Sequence, residues 1–195
     1  MIDDVYVFDD IVDKEYQNKI KALVYSSEFS WYICKDVSLE GNPHQKRPGF
    51  KHNFVSPDNV IRSEFHKVIM PIIMSSLEKI NLKKSYNITQ GRAFLQLPLN
   101  IPDRHLVDTP HVDAKTPHIA VLYYVLDNEA NTIIYEDKFK SYDTRPDIKD
   151  LKVKQIVKPK QGRVVVFNGM HWHTAEQPEH NERCIINYNV VWMVG

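Results

Sequence analysis

The stretch Gly162-Arg163-Val164-Val165-Val166-Phe167-Asn168-Gly169-Met170-His171-Trp172-His173 combines an apolar strand, a turn at Gly169 and two histidines. About sixty residues earlier the chain reads Thr109-Pro110-His111-Val112-Asp113. Residues i and i+2 of an extended chain point to the same side, so His111 and Asp113 can face one point. A histidine from the later stretch would complete a set of two imidazoles and one carboxylate. Such a set leaves positions open on a bound metal and suits non-haem Fe(II).

Either histidine of the later stretch can supply the third ligand. His171 and His173 share one side of an extended strand, so periodicity does not separate them. Ten residues beyond His173 stands Arg183, at the head of the apolar run Arg183–Trp192. His-x-Asp by itself is a weak signal, because short motifs recur by chance. Its combination with the strand, the turn and Arg183 is more specific.

Length and composition bound the class of protein. A chain of 195 residues suits one domain with a sizeable core. The formal net charge is zero, without a basic block, which argues against a nucleic-acid partner and an anionic membrane surface. The N-terminus lacks the pattern of a signal peptide, and no apolar run reaches membrane-spanning length. Cys34 and Cys184 have no paired spacing, so a reduced, cytoplasmic setting is expected.

Residues 1–84 form a part of the chain that is predicted to be mainly helical. Apolar residues at helical spacing predict a first helix over residues 14–26. A second helix is predicted over residues 57–81, with Ser56 as its N-cap and proline at its first position. Pro71 lies inside this second helix and is predicted to kink or divide it. These helices are expected to buttress one face of a sheet.

From residue 85 to residue 195 the pattern changes to short runs rich in β-branched and aromatic residues. These runs predict strands over about 86–97, 117–126, 131–136, 152–158, 163–167 and 183–193. The pattern indicates a predominantly β fold, either a jelly roll or a β-sandwich. The polar segment 137–150 between two of these strands is a surface excursion, either a solvated hairpin loop or a substrate lid.

Alternation along the last strand assigns its two faces. Ile185, Asn187 and Asn189 share the face of Arg183, which is predicted to point inward. The opposite face carries Cys184, Ile186, Tyr188 and Val190. Buried amides need hydrogen-bond partners, so two inward asparagines are poor core filler and are predicted to line a pocket.

Taken together, His-x-Asp, a long gap, the distal histidine and the arginine ten residues on resemble the Fe(II)/2-oxoglutarate-dependent dioxygenases. The similarity is to their prolyl-hydroxylase-like branch, and within it to small stand-alone phage and bacterial oxygenases, which read much like Phe-Asn-Gly-x-x-Trp-His-x-Ala. The resemblance favours His173, with His111 and Asp113, as the metal ligands. It also implies a double-stranded β-helix, or cupin-like jelly roll, buttressed by N-terminal helices in a single domain over residues 1–195.

The resemblance further implies a set of residues that bind the cosubstrate. Arg183 would bind the distal carboxylate of 2-oxoglutarate through its planar fork, and the Tyr124 hydroxyl would assist it. Asn187 and Asn189 would line the cosubstrate or substrate pocket. The family has a glycine-rich turn after the strand of Tyr124, whereas residues 128–132 here read Asn-Glu-Ala-Asn-Thr. Asparagine tolerates a left-handed backbone, which would preserve the turn.

On the predicted strand over about 86–97, Arg92 and Gln96 share one face and are predicted to reach the same pocket.

The implied activity is hydroxylation of an unidentified substrate, coupled to conversion of 2-oxoglutarate and O2 to succinate and CO2, with ascorbate as a supporting reductant. A peptidyl proline, another amino-acid side chain, a free amino acid and a small metabolite are all candidate substrates. Two alternatives stay open from the residues. One is a jelly-roll protein that binds a metal or a small acid without turnover, and the other is a metal-dependent jelly-roll enzyme that does not use 2-oxoglutarate.

Overall fold

The computed structural model describes residues 2–35, 37, 47–82, 86–98, 107–141 and 146–192. Two α-helices, α1 (Lys14–Val24) and α2 (His66–Lys79), and a short 3-10 helix (Ile148–Asp150) accompany ten strands. The strands are β1 (Tyr6–Phe8), β2 (Tyr32–Cys34), β3 (Gly49–Val55), β4 (Tyr86–Gln96), β5 (Ile119–Tyr124), β6 (Thr132–Lys138), β7 (Val153–Val157), β8 (Val164–Asn168), β9 (His171–Ala175) and β10 (Arg183–Trp192). Neither described helix is long and apolar enough to cross a membrane.

The strands form two antiparallel sheets that face each other. The major sheet has the order β1-β8-β5-β10-β4-β3-β2, and the minor sheet has the order β7-β6-β9. One buried cluster joins inward residues of both sheets: Ala120, Leu122, Tyr124, Ile134, Val157, Val165, Phe167 and Ile185. Two facing antiparallel sheets around an inner core are consistent with the double-stranded β-helix that the family resemblance implies.

The outer face of the major sheet packs against the helices. A second buried cluster contains Ile20 of α1, Ile69 and Ile72 of α2, and the outward residues of β10, which are Cys184, Ile186, Tyr188 and Val190. Ile185 lies instead in the inner cluster. The predicted division of β10 into two faces is therefore confirmed, and so is the buttressing role of the helices.

The second helix is shorter than predicted. It begins at His66, and Pro71 lies within it without dividing it. Ser56 does not cap a helix, because its hydroxyl donates to the carbonyl of Val60 at 3.1 Å and accepts from Arg62 Nε at 2.8 Å. Local side-chain bonds of serine compete with helix formation, and here they stabilise a turn.

Two strands, β3 and β9, were not predicted, and both matter for the site. β3 and its neighbour β2 come from the N-terminal part, which therefore supplies strands to the major sheet as well as helices. β9 follows the turn at Gly169 and pairs with β6. In the predicted surface excursion over 137–150, β6 extends to Lys138. Residues 142–145 of the excursion lie outside the described residues, so the predicted lid stays a prediction.

Candidate metal centre

Two histidines meet where a loop pairs with β9. His111 and His173 form an isolated antiparallel bridge, in which each backbone N–H donates to the carbonyl of the other, at 2.9 and 3.0 Å. Their ring centroids lie 4.6 Å apart. The backbone pairing thus fixes the two imidazoles side by side.

The same nitrogen of each ring faces a backbone carbonyl. His111 Nδ1 lies 3.3 Å from the carbonyl of Thr109, and His173 Nδ1 lies 3.0 Å from the carbonyl of His171. A carbonyl accepts a hydrogen bond, so Nδ1 carries the proton in both rings. Nε2 of each ring is then a lone-pair donor, which is the arrangement that metal-binding histidines use.

Asp113 completes the group. One carboxylate oxygen accepts from Arg92 Nη2 at 2.7 Å, and the other accepts from Asn187 Nδ2 at 2.9 Å and lies 3.6 Å from His173 Nε2. One ligand atom from each of His111, Asp113 and His173 falls within 4.8 Å of the others. That spacing fits a single ion, so the structure brings together the three residues that the sequence singles out.

The protonation states of this group suit metal binding. Burial, together with the neighbouring His173, lowers the pKa of His111 to about 4. Burial acts to raise the pKa of Asp113, but the adjacent Arg92 guanidinium outweighs it and holds that pKa well below its usual range. At neutral pH the group therefore offers a neutral imidazole and an ionised carboxylate, the states in which these residues bind metals.

Arg183 lies in the wall of the same cavity. Its side chain is buried, with 3% of the residue exposed. Nε donates to the carbonyl of Ala130 at 3.2 Å, Nη1 to Gln96 Oε1 at 3.0 Å and Nη2 to Thr132 Oγ1 at 2.8 Å. All three acceptors are neutral, and no described carboxylate lies within hydrogen-bond distance of the guanidinium. Two of its five N–H groups have no acceptor among the described residues, and two is the number that one carboxylate can accept from a fork.

Tyr124 and the turn after it help to hold Arg183. The Tyr124 hydroxyl donates to Thr132 Oγ1 at 2.7 Å, and its ring lies 6.0 Å from the guanidinium carbon. The turn does not use a left-handed asparagine, contrary to expectation. Asn128 Oδ1 instead accepts from the backbone N–H of Ala130 at 2.8 Å, an Asx turn that replaces the absent glycine.

Asp108 belongs to a buried network that the sequence does not reveal. The residue is 4% exposed, and its carboxylate lies 3.0 Å from Arg47 Nε and accepts from Gln177 at 2.6 Å and Gln96 at 3.3 Å. Gln96 in turn accepts from Arg183, so Asp108 orients the amide that holds this cation. The network joins four residues from separate segments that form no sequence motif: Arg47, Gln96, Asp108 and Gln177. The predicted shared face of Arg92 and Gln96 nevertheless identified the correct surface of β4.

The two inward asparagines have different roles. Asn187 lines the cavity and donates to Asp113. Asn189 is 1% exposed and donates to Gln90 Oε1 at 3.3 Å. It is not among the described residues that line the cavity. The cavity is lined by Val37, Arg92, Phe94, Gln96, Asp108, His111, Asp113, Leu122, Thr132, His173, Thr174, Ala175, Arg183, Ile185 and Asn187.

His171 stays apart from the group despite its shared parity with His173. The β6–β9 ladder is irregular: Ile134 pairs with His173, whereas Lys138 pairs with His171. His171 is 2% exposed, and its ring nitrogens have no hydrogen-bond partner among the described residues. Gly169, in the turn before His171, permits the close approach of the His118 ring, because a Cβ there would lie 2.1 Å from His118 Nε2.

Replacing His173 by alanine is expected to weaken Fe(II) binding by more than roughly tenfold, since losing even an outer partner of a ligand costs that much. His171→Ala should leave the affinity unchanged, because His171 contributes no ligand atom to the group. Anaerobic Fe(II) titration of both variants, with circular dichroism to verify folding, makes the comparison. A larger loss in His171→Ala than in His173→Ala would assign the third ligand to His171.

The sequence matches no protein-family profile and no curated protein. Solved structures nevertheless share its architecture. An oxidoreductase of the 2OG-Fe(II) oxygenase family from Burkholderia pseudomallei has a TM-score of 0.68 at 14% identity, over 98% of this chain and 86% of that chain. The collagen prolyl hydroxylase of Paramecium Bursaria Chlorella virus-1, in a 2OG complex, has a TM-score of 0.57 at 13% identity, over 95% of this chain and 94% of that chain.

A third structure is the non-heme alpha ketoglutarate dependent epimerase SnoN from nogalamycin biosynthesis. Its TM-score is 0.68 at 10% identity, over 96% of this chain and 78% of that chain. These likenesses confirm the predicted double-stranded β-helix. One of these proteins is a prolyl hydroxylase and another is an epimerase, so the shared fold does not identify a substrate.

Proposed function

Since this chain has the fold of the 2OG-Fe(II) oxygenases, we propose that it is an Fe(II)- and 2-oxoglutarate-dependent dioxygenase. It hydroxylates a substrate with release of succinate and CO2, and the candidate substrates are a peptidyl proline, another amino-acid residue, a free amino acid and a small metabolite. Bound iron and 2-oxoglutarate would supply the activation of O2, with ascorbate as a supporting reductant.

In this proposal His111, Asp113 and His173 hold the iron. The two Nδ1–H bonds to backbone carbonyls keep each Nε2 available, and the low pKa of Asp113 keeps its carboxylate ionised. Arg92 and Asn187 fix the carboxylate orientation by one hydrogen bond to each oxygen. Three protein ligands leave coordination positions for a chelating cosubstrate.

The observation that carries the proposal is the buried Arg183. A buried cation without an anionic partner is costly, so the fold must gain something by keeping it. Gln96, Thr132 and Ala130 take three of its N–H groups and leave two for a ligand in the cavity that also contains the metal group. A dicarboxylate that chelates the metal with one end and reaches Arg183 with the other satisfies both features. A protein that only binds a metal does not require this cation, and neither does a metal-dependent enzyme that does not use 2-oxoglutarate.

Turnover of 2-oxoglutarate tests the proposal. The protein loaded with Fe(II) in air should convert 2-oxoglutarate to succinate, measured by mass spectrometry, and the rate should rise when a substrate is added. Omission of Fe(II) is the control. Binding of both Fe(II) and 2-oxoglutarate without succinate formation would favour a binding protein. Metal-dependent chemistry that proceeds without 2-oxoglutarate would favour the other enzyme class.

A further inference from the structure

A row of polar side chains crosses the major sheet beside the metal group. Asn53 of β3 pairs with Arg92 of β4, and Arg92 pairs with Asn187 of β10. Side chains of paired residues lie on the same face of a sheet, roughly 5 Å apart at Cβ. Arg92 and Asn187 both contact Asp113, so this row faces the metal group.

Two members of this row have unused hydrogen-bonding groups. Within the part of the chain that the structure describes, Arg92 uses only Nη2, and its Nε is buried without a partner. Asn187 Nδ2 donates a hydrogen bond to the Asp113 carboxylate, so the amide oxygen Oδ1 is the atom of this side chain that can accept from another group. That oxygen is also buried without a partner. A cationic donor and a neutral acceptor therefore stand side by side, each short of a hydrogen bond.

Among the described residues in and beside the cavity, the charges leave one cation in excess. Arg47 pairs with Asp108 and Arg92 with Asp113, whereas Arg183 has no carboxylate partner among the described residues. A divalent metal and the dianion of 2-oxoglutarate cancel each other, so the described residues leave the loaded cavity with one positive charge. Lys51 is a further cation on the face of Asn53 on β3, where it pairs with Phe94 of the cavity wall.

We propose that Arg92 binds a carboxylate of the substrate and that Asn187 Oδ1 accepts from the adjacent amino group, so that the substrate is a free α-amino acid. This inference rests on the proposed function and narrows its substrate class. A free amino acid places an anion and an N–H donor within two bonds of each other. A prolyl residue inside a peptide has neither, since its amide nitrogen has no hydrogen and its carbonyl is uncharged.

Calorimetric titration into the anaerobic protein loaded with Fe(II) and 2-oxoglutarate tests the inference. The probes are the twenty L-amino acids and their carboxamides, so that each pair differs in one charge. At least one acid should bind, more tightly than its amide by roughly ten- to a hundredfold, which is the effect of one hydrogen bond to a charged group. The same acid without its amino group should bind more weakly than the amino acid.

Substitutions at Arg92 test whether the preference for acid over amide arises from this row of polar side chains. Arg92→Gln should abolish the preference for acid over amide, and Arg92→Lys should retain part of it, because lysine keeps the charge but loses the fork. The matched control is Arg62→Gln, which removes an ion pair whose arginine side chain is 50% exposed and should leave the preference unchanged.

Several results would overturn the inference: no amino acid binds, acids and amides bind alike, or the preference survives Arg92→Gln. A loss of 2-oxoglutarate affinity in Arg92→Gln with an unchanged preference would assign Arg92 to the cosubstrate instead. The proposed function fails separately, and the inference with it, if the wild-type protein forms no complex with Fe(II) and 2-oxoglutarate before any amino acid is added.

Discussion

Replacing Asp113 by alanine is expected to abolish Fe(II) binding, with a loss of affinity well above a hundredfold. Asp113 is the one carboxylate in the group of three residues that can hold the metal. Its removal also leaves Arg92 without its ion-pair partner, so a buried cation would then repel the metal. Since loss of an outer partner alone typically costs ten- to a hundredfold in metal affinity, loss of the anionic ligand should cost more.

Anaerobic titration with Fe(II) measures this effect. Asp4→Ala is a suitable control, because Asp4 is an exposed carboxylate far along the chain from the site. Asp108 is a second control, because it belongs to the loop before His111 and is not one of the three possible ligands. We expect Asp108→Ala to keep Fe(II) binding. It is not inert, however, because its carboxylate holds Gln96, which holds Arg183. Equal Fe(II) affinity of the wild type and Asp113→Ala would contradict the assigned ligand set.

Replacing Arg183 by alanine is expected to remove measurable 2-oxoglutarate binding while Fe(II) binding survives. The variant leaves the distal carboxylate of the cosubstrate in a buried pocket without a cation, and a buried unpaired charge is strongly unfavourable. Arg183→Lys keeps the charge but loses the fork. One lost hydrogen bond to a charged group corresponds to about 1.5–3 kcal/mol, so 2-oxoglutarate should bind roughly ten- to a hundredfold more weakly.

Titration of 2-oxoglutarate into the anaerobic Fe(II) protein, followed by the visible charge-transfer band of the chelate, gives the affinities. Arg62→Ala, which removes an exposed arginine, is the matched control. Activity of Arg183→Lys should return at high 2-oxoglutarate concentration. An Arg183→Ala variant that binds 2-oxoglutarate as tightly as the wild type would refute the cosubstrate site. A wild-type protein that never shows the band would refute the oxygenase proposal itself.

Features that depend on local periodicity could be predicted from the sequence. Tyr124 lies in the inner cluster and Tyr123 in the outer one, as alternation along their strand requires. The same rule places Ile185 inside and Ile186 outside on β10. A strand has a side-chain period of two wherever it sits, so the two faces follow from the residues alone.

Some elements were shorter than predicted or not predicted, because hydrogen bonds that periodicity does not reveal decide them. β9 consists of the residues His-Trp-His-Thr-Ala, which carry no clear strand pattern, and it forms because it pairs with β6 and with His111. The second helix starts late because Ser56 stabilises a turn with Val60 and Arg62. Propensity is a weak guide where such partners compete.

The sequence by itself determined the strand-rich second half, the inward face of β10 and the pairing of His111 with Asp113 on one side of the chain. The family resemblance favours His173 over His171, but periodicity does not separate the two histidines, and only the tertiary structure does so, through the irregular β6–β9 ladder. The tertiary structure alone also brings together Arg47, Asp108 and Gln96, the residues that hold Arg183 through the Gln96 amide. The physical reason is that periodicity fixes which way a side chain points, whereas its neighbours depend on which distant strands pair and in what register.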